Sequence, residues 1–238
     1  MKKVRTAMVM AAGLGKRMRP LTETRPKPLV EVAGKAMIDH CFDKLAEAGV
    51  EDVVVNVHYL PELLEVHLDS ADYPFSIIIS DERKLLMETG GGLVKAQPLI
   101  DEDPFFCINS DNIWTDGPTN SLERLANFWN DEEMDALLLL IPLSSAFNYK
   151  GDGDFHLDEN NRISRRAPDE RAPYLYSGIQ LISKRLLRDA PEGPFSTNIL
   201  WNRAIKEGRL FGLAHDGKWF EVGSPDAIAP TEIALASE

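Results

Sequence analysis

A glycine-rich turn followed by basic side chains is the feature of this sequence with the clearest chemical use. The turn, Ala11-Ala12-Gly13-Leu14-Gly15, follows a short apolar run. Glycines carry no Cβ, so their backbone N–H groups can approach a phosphate closely. Arg17, Arg19, Arg25 and Lys27 then follow, in a chain whose formal net charge is -12. A Gly-x-Gly turn alone is most often structural, but the positive charge concentrated beside it predicts a triphosphate site.

Two better-known phosphate-binding loops do not match this turn. The dinucleotide fingerprint needs a third glycine where Met18 stands, and the Walker loop needs a Gly-Lys-Ser/Thr sequence that the segment lacks. Pro20 and two further prolines follow closely, so we expect no long helix here. Pro26 and Pro28 flank Lys27, and we expect them to hold its backbone extended.

A second polar cluster, Asn109-Ser110-Asp111-Asn112, directly follows the apolar run 105–108. In parallel α/β sheets the functional site lies at the carboxyl ends of the strands, so Asp111 is well placed to hold Mg²⁺. An Asx turn uses the same residue types. The residues alone leave these two interpretations open.

Three consecutive glycines follow Glu88 and Thr89, between a predicted strand and a predicted short helix over 92–97. Each glycine costs about 1 kcal/mol within a helix, so the segment 88–92 is predicted to be a loop. It is either simply flexible or forms a backbone surface on which a base and a ribose lie at a helix N-terminus.

Apolar runs alternate with helical spacing along the first 150 residues, which predicts a doubly wound, mainly parallel α/β sheet covered on both faces. The strands predicted here are 7–10, 53–55, 75–79, 105–108 and 136–143, and the helices are 37–48, 61–68, 92–97 and 122–129. Beyond Gly151 we predict strands at 155–157, 163–165, 175–182 and 210–214, with helices at 198–206 and from about 225. No linker or repeat interrupts the chain, so we expect one domain, 1–238, with a nucleotide-binding half (1–150) and a substrate-binding half (151–238).

The composition, 44% hydrophobic and 27% charged over 238 residues, is that of an ordinary globular chain. Its acidic balance disfavours nucleic-acid binding. No apolar run reaches the roughly 18 residues of a membrane span, and the basic start Met1–Arg5 precedes too short an apolar stretch for a signal peptide. Cys41 and Cys107 have no metal-like spacing, so we expect buried thiols in a reducing cytoplasm.

The segment from Gly13 to Thr22, continued by Arg25-Pro26-Lys27-Pro28-Leu29-Val30, closely resembles the signature of sugar-1-phosphate nucleotidyltransferases. The resemblance implies the fold of that family: a Rossmann-like, doubly wound, mixed but mainly parallel sheet of the nucleotide-diphospho-sugar transferase type. It also implies that Arg17 contacts the phosphates and that Lys27 stabilises the reacting phosphate. The turn that would wrap the nucleoside triphosphate comprises Ala11, Ala12, Gly13 and Gly15.

The segment Glu88-Thr89-Gly90-Gly91-Gly92 looks most like the base-framing loop of N-acetylmuramic acid 1-phosphate uridylyltransferases and related short nucleotidyltransferases. The resemblance implies that Glu88, Thr89 and Gly90 bind the nucleotide. Asn56 and His58, near the end of the second predicted strand, would face the same region. A structural role for His58 is equally compatible with the residues.

The same resemblance implies a pair of metal ligands. Family members carry Asn-Gly-Asp or a close variant at 109–111, with the aspartate on Mg²⁺, which selects Asp111; Ser110 replaces the usual glycine. Trp219-Phe220-Glu221-Val222-Gly223 resembles the family's Trp-x-Asp-Val-Gly segment, so Glu221 would be the second ligand, one methylene longer than aspartate. A plain surface carboxylate is the alternative for Glu221.

Segments beyond residue 150 resemble the acceptor side of the family. Gly151-Asp152-Gly153-Asp154-Phe155 is similar to a Gly-x-Gly-Asp-Phe segment near the sugar, although a hairpin turn has the same composition. Tyr176–Ile179 is similar to a sugar-contacting Ser-Gly-Ile strand. The implied sugar-phosphate-binding residues are therefore Asn109, Gly153, Asp154, Ser177 and Gly178. Some relatives have a basic residue within 195–198, where this chain has none, so Arg165 or Arg166 is the candidate for the acceptor phosphate.

The implied activity joins a nucleoside triphosphate to a sugar 1-phosphate and releases pyrophosphate, with Arg17, Lys27 and Asp111 as catalytic residues and Mg²⁺ as cofactor. UTP and N-acetylmuramic acid 1-phosphate are the favoured substrates, giving UDP-N-acetylmuramic acid in cytoplasmic peptidoglycan recycling. A guanylyl- or thymidylyltransferase for mannose, heptose or glucose 1-phosphate is the first alternative. A non-catalytic nucleotide-sugar-binding regulator is the second, because Ser110 and Glu221 depart from the family pattern. We expect no nucleic-acid or membrane partner, and a monomer or homodimer.

Overall fold

A computed structural model describes residues 3–237. Met1 and Lys2 of the basic start, and both end residues of the predicted 1–238 domain, lie outside the described residues. Within residues 3–237 no helix is both long and apolar enough to cross a membrane.

A nine-stranded mixed sheet forms the centre of the molecule. Its strands are β1 (Thr6–Met10), β4 (Asp52–Val57), β5 (Ser76–Asp81), β6 (Phe105–Asn109), β8 (Ala136–Pro142), β10 (Phe155–Leu157), β11 (Ile163–Arg165), β12 (Tyr174–Ile182) and β13 (Leu210–Ala214). The strand order is β11-β10-β12-β6-β1-β4-β5, and β8 lies beside β12 and carries β13 on its other edge. Strands from both predicted halves of the chain therefore share one sheet.

The strand directions match the predicted fold class. β6, β1, β4 and β5 are mutually parallel, whereas β12 runs antiparallel to β6, β8 and β10. Because β13 is parallel to β8 and β11 is antiparallel to β10, seven of the nine strands run in one direction and only β12 and β11 oppose them. The sheet is therefore mixed but mainly parallel, as the sequence predicts.

Six α-helices accompany the sheet in the described part of the chain. They are α1 (Met37–Glu47), α2 (Pro61–Ser70), α3 (Glu88–Ala96), α4 (Ser121–Phe128), α5 (Asn198–Lys206) and α6 (Ile228–Leu235). Local signals set several of their ends: Pro61 opens α2, and the side chain of Asn120 accepts the N–H groups of Leu122 and Glu123 to cap α4.

Side chains of single strands point alternately into two hydrophobic clusters on opposite faces of the sheet. Val53, Val55 and Val57 of β4 enter one cluster, whereas Val54 enters the other. Period-two alternation into two apolar layers explains why these strands read as continuous apolar runs, since both faces are covered.

Two small sheets were not predicted. β2 (Glu31–Val32) pairs with β3 (Lys35–Ala36), and β7 (Ile113–Thr115), β14 (Lys218–Phe220) and β9 (Ala146–Phe147) form a three-stranded sheet in the order β7-β14-β9. Each of these strands has two or three residues, too few for a period-two pattern to show in the sequence. The second small sheet matters for the site because Glu221 directly follows β14.

Candidate functional site

Three predicted site segments meet at one edge of the parallel sheet. Residues 11–13 follow β1, Asn56 lies in β4, and Asn109 ends β6 with Asp111 close behind. β1 lies between β4 and β6, with Val9 paired to Val55 and Met10 to Asn109. Parallel neighbours end at the same edge, so the geometry brings these segments together at the carboxyl ends of the strands, where open α/β sheets bind their ligands.

The first cleft lies between this edge and the start of α3. Its lining combines the residues after β1 and β6 with Lys27, Asn56 and the N-terminus of α3. The full lining is Met10, Ala11, Ala12, Gly13, Lys27, Pro28, Asn56, Leu86, Glu88, Thr89, Asn109, Ser110 and Asp111. Most of the residues that the sequence assigns to the nucleotide are in this set.

Gly13 is the glycine of the turn that faces open space. A Cβ built on Gly13 would meet no atom within 4 Å, so the missing side chain leaves room in the first cleft itself. Gly15 differs: its φ is +59°, and a Cβ there would lie 3.0 Å from both Lys27 Cβ and Thr22 Cγ2. The structure therefore gives Gly15 a turn-forming and packing role behind the cleft wall.

The glycine triplet is helical, which corrects the predicted loop over 88–92. Glu88–Gly92 form the first turns of α3 rather than preceding a helix that begins at Gly92. A Cβ on Gly90 would collide with the ring of Phe195, and the N–H of Gly90 donates to the carbonyl oxygen of Phe195 at 2.8 Å. Tertiary packing of the segment at Phe195 against α3 thus outweighs the low helix propensity of glycine.

The Pro-Lys-Pro segment also differs from its prediction. Lys27–Leu29 form a single turn of 3₁₀ helix, while only Pro26 is extended, with φ -68° and ψ 150°. This turn directs the Lys27 side chain into the site, where its ammonium group contacts the carboxylate of Asp111. The Lys27 side chain is 13% exposed, so the pair is partly shielded from solvent.

The second cleft opens on the other side of this ion pair. It shares Lys27, Asn109 and Asp111 with the first cleft. The remaining lining residues are Arg17, Asn112, Tyr149, Asp154, Leu175, Tyr176, Ser177, Gly178, Trp219, Phe220, Glu221, Val222 and Gly223. The two clefts therefore meet at Lys27 and Asp111.

Several residues predicted from the acceptor-side segments lie together in the second cleft. Asp154, Ser177 and Gly178 line it, and the oxygen of Asp154 accepts the N–H of Tyr176 at 2.9 Å. Gly178 has a φ of +86°, and a Cβ there would lie 2.5 Å from Asn112 Nδ2, so only glycine lets the strand pass this close. Gly153 does not line the cleft; its carbonyl oxygen accepts the Nε–H of Arg166 at 2.8 Å.

Four predicted charged groups of the site form two ion pairs. Besides Lys27 and Asp111, the guanidinium of Arg17 lies 3.6 Å from the carboxylate of Glu221. Asp111 and Glu221 keep side-chain exposures of 34% and 31%, so both carboxylates face the second cleft. Among residues 3–237 no group of three or more His, Cys, Asp and Glu side chains is arranged to hold a metal.

Other basic residues of the prediction lie elsewhere. Arg19 and Arg25 line neither cleft, so the charge of the first segment reaches the site only through Arg17 and Lys27. Arg165 donates to the side chains of Asn198 and Asn202. Arg166 donates to the backbone carbonyl oxygens of residues 167, 168 and 170. Neither arginine lines the second cleft.

Sequence reasoning missed Tyr149 and Glu82. Tyr149 lines the second cleft, where burial and the nearby carboxylates of Asp154 and Glu221 raise its pKa. Glu82 has no exposed surface and binds Asn56, and the Nδ1 of His58 meets its backbone carbonyl at 2.8 Å. A glutamate in a polar loop segment carries no local signal of burial.

Comparison with known proteins identifies close relatives of this chain. The model of the nucleotidyl transferase family matches residues 6–163. The N-acetylmuramate alpha-1-phosphate uridylyltransferase of Caulobacter vibrioides is 43% identical over 97% of this chain and 96% of its own length. The protein of the same description from Neisseria meningitidis serogroup B is 31% identical over 92% of this chain and 93% of its own.

The fold also matches a solved nucleotidyltransferase. A UDP-glucose pyrophosphorylase complexed with UDP-glucose superposes with a TM-score of 0.80 over 98% of this chain and 99% of that chain, at 16% identity. At this identity the match concerns the fold alone, whereas the sequence matches concern the family. The chain therefore belongs to the nucleotidyl transferase family, among its sugar-1-phosphate nucleotidyltransferases.

Proposed function

We propose that this protein transfers a uridylyl group from UTP to N-acetylmuramic acid 1-phosphate, giving UDP-N-acetylmuramic acid and pyrophosphate. The observation that carries the proposal is the 43% identity to the Caulobacter vibrioides uridylyltransferase over nearly the whole of both chains. The coverage supports it as well, because the match spans 97% of this chain and 96% of that protein.

The arrangement of the two clefts fits a reaction between two phosphorylated substrates. We assign UTP to the first cleft, between the turn 11–13 and the N-terminus of α3, and the sugar 1-phosphate to the second. Lys27, Asn109 and Asp111 line both clefts, so the reacting phosphates would meet at these residues. In this assignment the first cleft is built wholly from the nucleotide-binding half (1–150), and the second also draws on 151–238.

The chemistry needs positioning and charge neutralisation rather than a protein nucleophile. A phosphate oxygen of the sugar 1-phosphate attacks the α-phosphorus of UTP in line, and the bond to the bridging oxygen of the pyrophosphate breaks. Lys27 lies where the clefts meet, so its ammonium group can neutralise charge on the α-phosphate. Arg17 lines only the second cleft and is 75% exposed there, so it would neutralise the leaving pyrophosphate only where that group extends past Lys27 into the second cleft.

Asp111 and Glu221 fit a Mg²⁺ site that a substrate completes. Magnesium favours one or two protein carboxylates, with water and phosphate oxygens in its remaining positions. Both carboxylates line the second cleft and are partly exposed. When bound, the cation would neutralise phosphate charge. The two ion pairs fit this role. Incoming phosphates can replace the carboxylates as partners of Lys27 and Arg17, which leaves Asp111 and Glu221 available to the cation.

A single substitution tests the metal assignment. We expect Asp111→Ala to lose about 10²-fold or more of turnover, because the charge facing both clefts is removed. Isothermal calorimetry with MgCl₂ and a non-reacting UTP analogue should show weaker cation binding, with unchanged thermal unfolding. Asp72→Ala, at an exposed position between α2 and β5, is the matched control. Near wild-type turnover and cation affinity in Asp111→Ala would remove Asp111 from the site.

The biological setting is a further part of the proposal. The product of this reaction belongs to cell-wall sugar metabolism, and we assign the protein to peptidoglycan recycling in the cytoplasm. The free, buried thiols of Cys41 and Cys107 are compatible with a reducing compartment. We expect a monomer or homodimer, which sedimentation velocity would establish.

A panel of substrates tests the proposed activity directly. Purified protein is incubated with each of UTP, GTP, dTTP and CTP, paired with the 1-phosphates of N-acetylmuramic acid, mannose, heptose and glucose. We expect UTP with N-acetylmuramic acid 1-phosphate to release pyrophosphate with the highest kcat/KM. A higher value for another pair would replace the substrate assignment. Nucleotide binding without pyrophosphate release from any pair would make the protein a binding module.

A further inference from the structure

Glu82 is a buried carboxylate behind Asn56, one of the residues that line the first cleft. It directly follows β5, has no exposed surface, and its backbone N–H donates to the carbonyl oxygen of Val57 at 2.8 Å. Charged side chains are almost never fully buried without a partner, so its partners indicate what it does.

The Glu82 carboxylate joins the two walls of the first cleft. On one side, Oε1 accepts the Nδ2–H of Asn56 at 2.8 Å, and Asn56 Oδ1 in turn accepts the N–H of Ala11 at 2.6 Å. On the other side, Oε2 accepts the N–H of Met87 at 3.0 Å, directly before α3. The result is a continuous chain of hydrogen bonds from the glycine turn to the start of α3.

The donors and acceptors of this chain fix its direction. Ala11 and Met87 present backbone N–H groups, which can only donate, so the two side chains between them must accept at both ends. The amide oxygen of Asn56 accepts the N–H of Ala11, and its NH₂ donates to Glu82. The Glu82 carboxylate therefore accepts two hydrogen bonds, one from Asn56 and one from Met87. A Cβ on Gly92 would lie 3.0 Å from Oε1, so the packing leaves the carboxylate little room to turn.

We propose that Glu82 is a positioning residue that sets the distance and orientation between the turn 11–13 and Glu88-Thr89, and thereby the affinity for the nucleotide. The inference rests on the proposed placement of the nucleoside triphosphate in the first cleft. Glu82 itself does not line that cleft and acts through Asn56 and the N-terminus of α3.

Glu82→Gln tests the direction of the chain at nearly constant volume. However the new amide is turned, its NH₂ faces a donor, either Asn56 Nδ2 or the N–H of Met87. We expect the KM for UTP to rise about tenfold, the scale of one lost hydrogen bond to a charged group, with the KM for the sugar phosphate within about twofold. Equal rises in both KM values, or a lower melting temperature with unchanged KM for UTP, would indicate a purely structural residue and overturn the proposal.

The double variant Glu82→Gln with Asn56→Asp restores the series of hydrogen bonds with the amide and the carboxylate exchanged between positions 56 and 82. The new carboxylate at position 56 can accept the N–H of Ala11 and the NH₂ of the new amide at position 82. The oxygen of that amide then accepts the N–H of Met87. Asn56→Asp alone places two carboxylates against each other. We therefore expect the double variant to bind UTP more tightly than either single variant, a non-additivity that a double-mutant cycle measures. A double variant that binds UTP no more tightly than the tighter-binding single variant would overturn the proposal.

Two measurements keep this test separate from the proposed activity. If the wild-type protein transfers no uridylyl group, the double-mutant cycle is measured by calorimetry, as the affinity for the triphosphate that the wild type binds. The role of Glu82 is then decided independently of the proposed activity. Hydrogen exchange of the wild type needs no variant. The amides of Ala11 and Met87 should exchange slowly and at similar rates, and fast exchange of either would contradict the chain.

Discussion

Gly13→Ala should separate nucleotide binding from folding. The φ of Gly13 lies outside the left-handed region, and a Cβ there has no neighbour within 4 Å, so the free protein accepts alanine without a steric conflict. Gly13 nevertheless lines the first cleft, where the added methyl group would occupy space assigned to the nucleotide. The substitution therefore acts on the complex and not on the fold.

The expected magnitudes have opposite signs for folding and binding. Replacing a compatible glycine by alanine stabilises a protein by about 0.4–1 kcal/mol, because the unfolded chain loses freedom. A methyl group forced into a well-packed contact costs about 1–3 kcal/mol. We expect a melting temperature unchanged or raised by about 1–4 °C, and a KM for UTP raised by about 5- to 150-fold.

Two other glycines supply matched controls. At Gly15, with φ +59° and neighbours at 3.0 Å, alanine should lower stability by at least the ~1–2 kcal/mol of left-handed strain. Gly34 has φ +73° but open space and lies outside both clefts, so Gly34→Ala should lose stability with an unchanged KM. Thermal unfolding and initial rates of pyrophosphate release measure both quantities. A wild-type KM for UTP in Gly13→Ala would refute the placement of the nucleotide.

Lys27→Met should lower kcat by about 10²–10³-fold, because it removes the positive charge shared by the two clefts, and Lys27→Arg should recover part of the loss in steady-state assays. Burial lowers the pKa of His215 below its ordinary 6.5, so folding favours the neutral imidazole. The contribution of His215 to stability should be complete above pH 6.5 and be lost as the pH drops below it. The urea midpoint should therefore fall less between pH 7.5 and pH 5 in His215→Asn than in the wild type, and equal falls would contradict this. Gly90→Ala should cost about 1–3 kcal/mol through its collision with Phe195, and adding Phe195→Leu should cost less than the sum of both changes in urea unfolding.

Much of the fold followed from local patterns. α5 and β13 have the predicted bounds, and α1 ends within one residue of its prediction, because regular apolar spacing continues over enough residues to define a period. The site segments that follow β1 and β6 were predicted for a related reason. Polar residues after a buried parallel strand must emerge at the carboxyl edge of the sheet.

Other features depend on contacts between distant residues. The glycines at 90–92 form helix because Phe195 and Gly193 pack against them, and no property of the triplet itself indicates this. Likewise, Arg165 and Arg166 have the right charge for an acceptor phosphate, but their partners hold them away from the second cleft.

The alternation of strands and helices and the membership of the family could be read from local composition and residue order, and so could the concentration of basic residues after the glycine turn. Which of those charges meet depends on the folded molecule. Folding pairs Lys27 with Asp111 where the two clefts meet, leaves Arg19 and Arg25 outside both clefts, and buries Glu82 against Asn56. Burial and pairing depend on side chains brought together from distant parts of the sequence, and local periodicity does not encode these contacts.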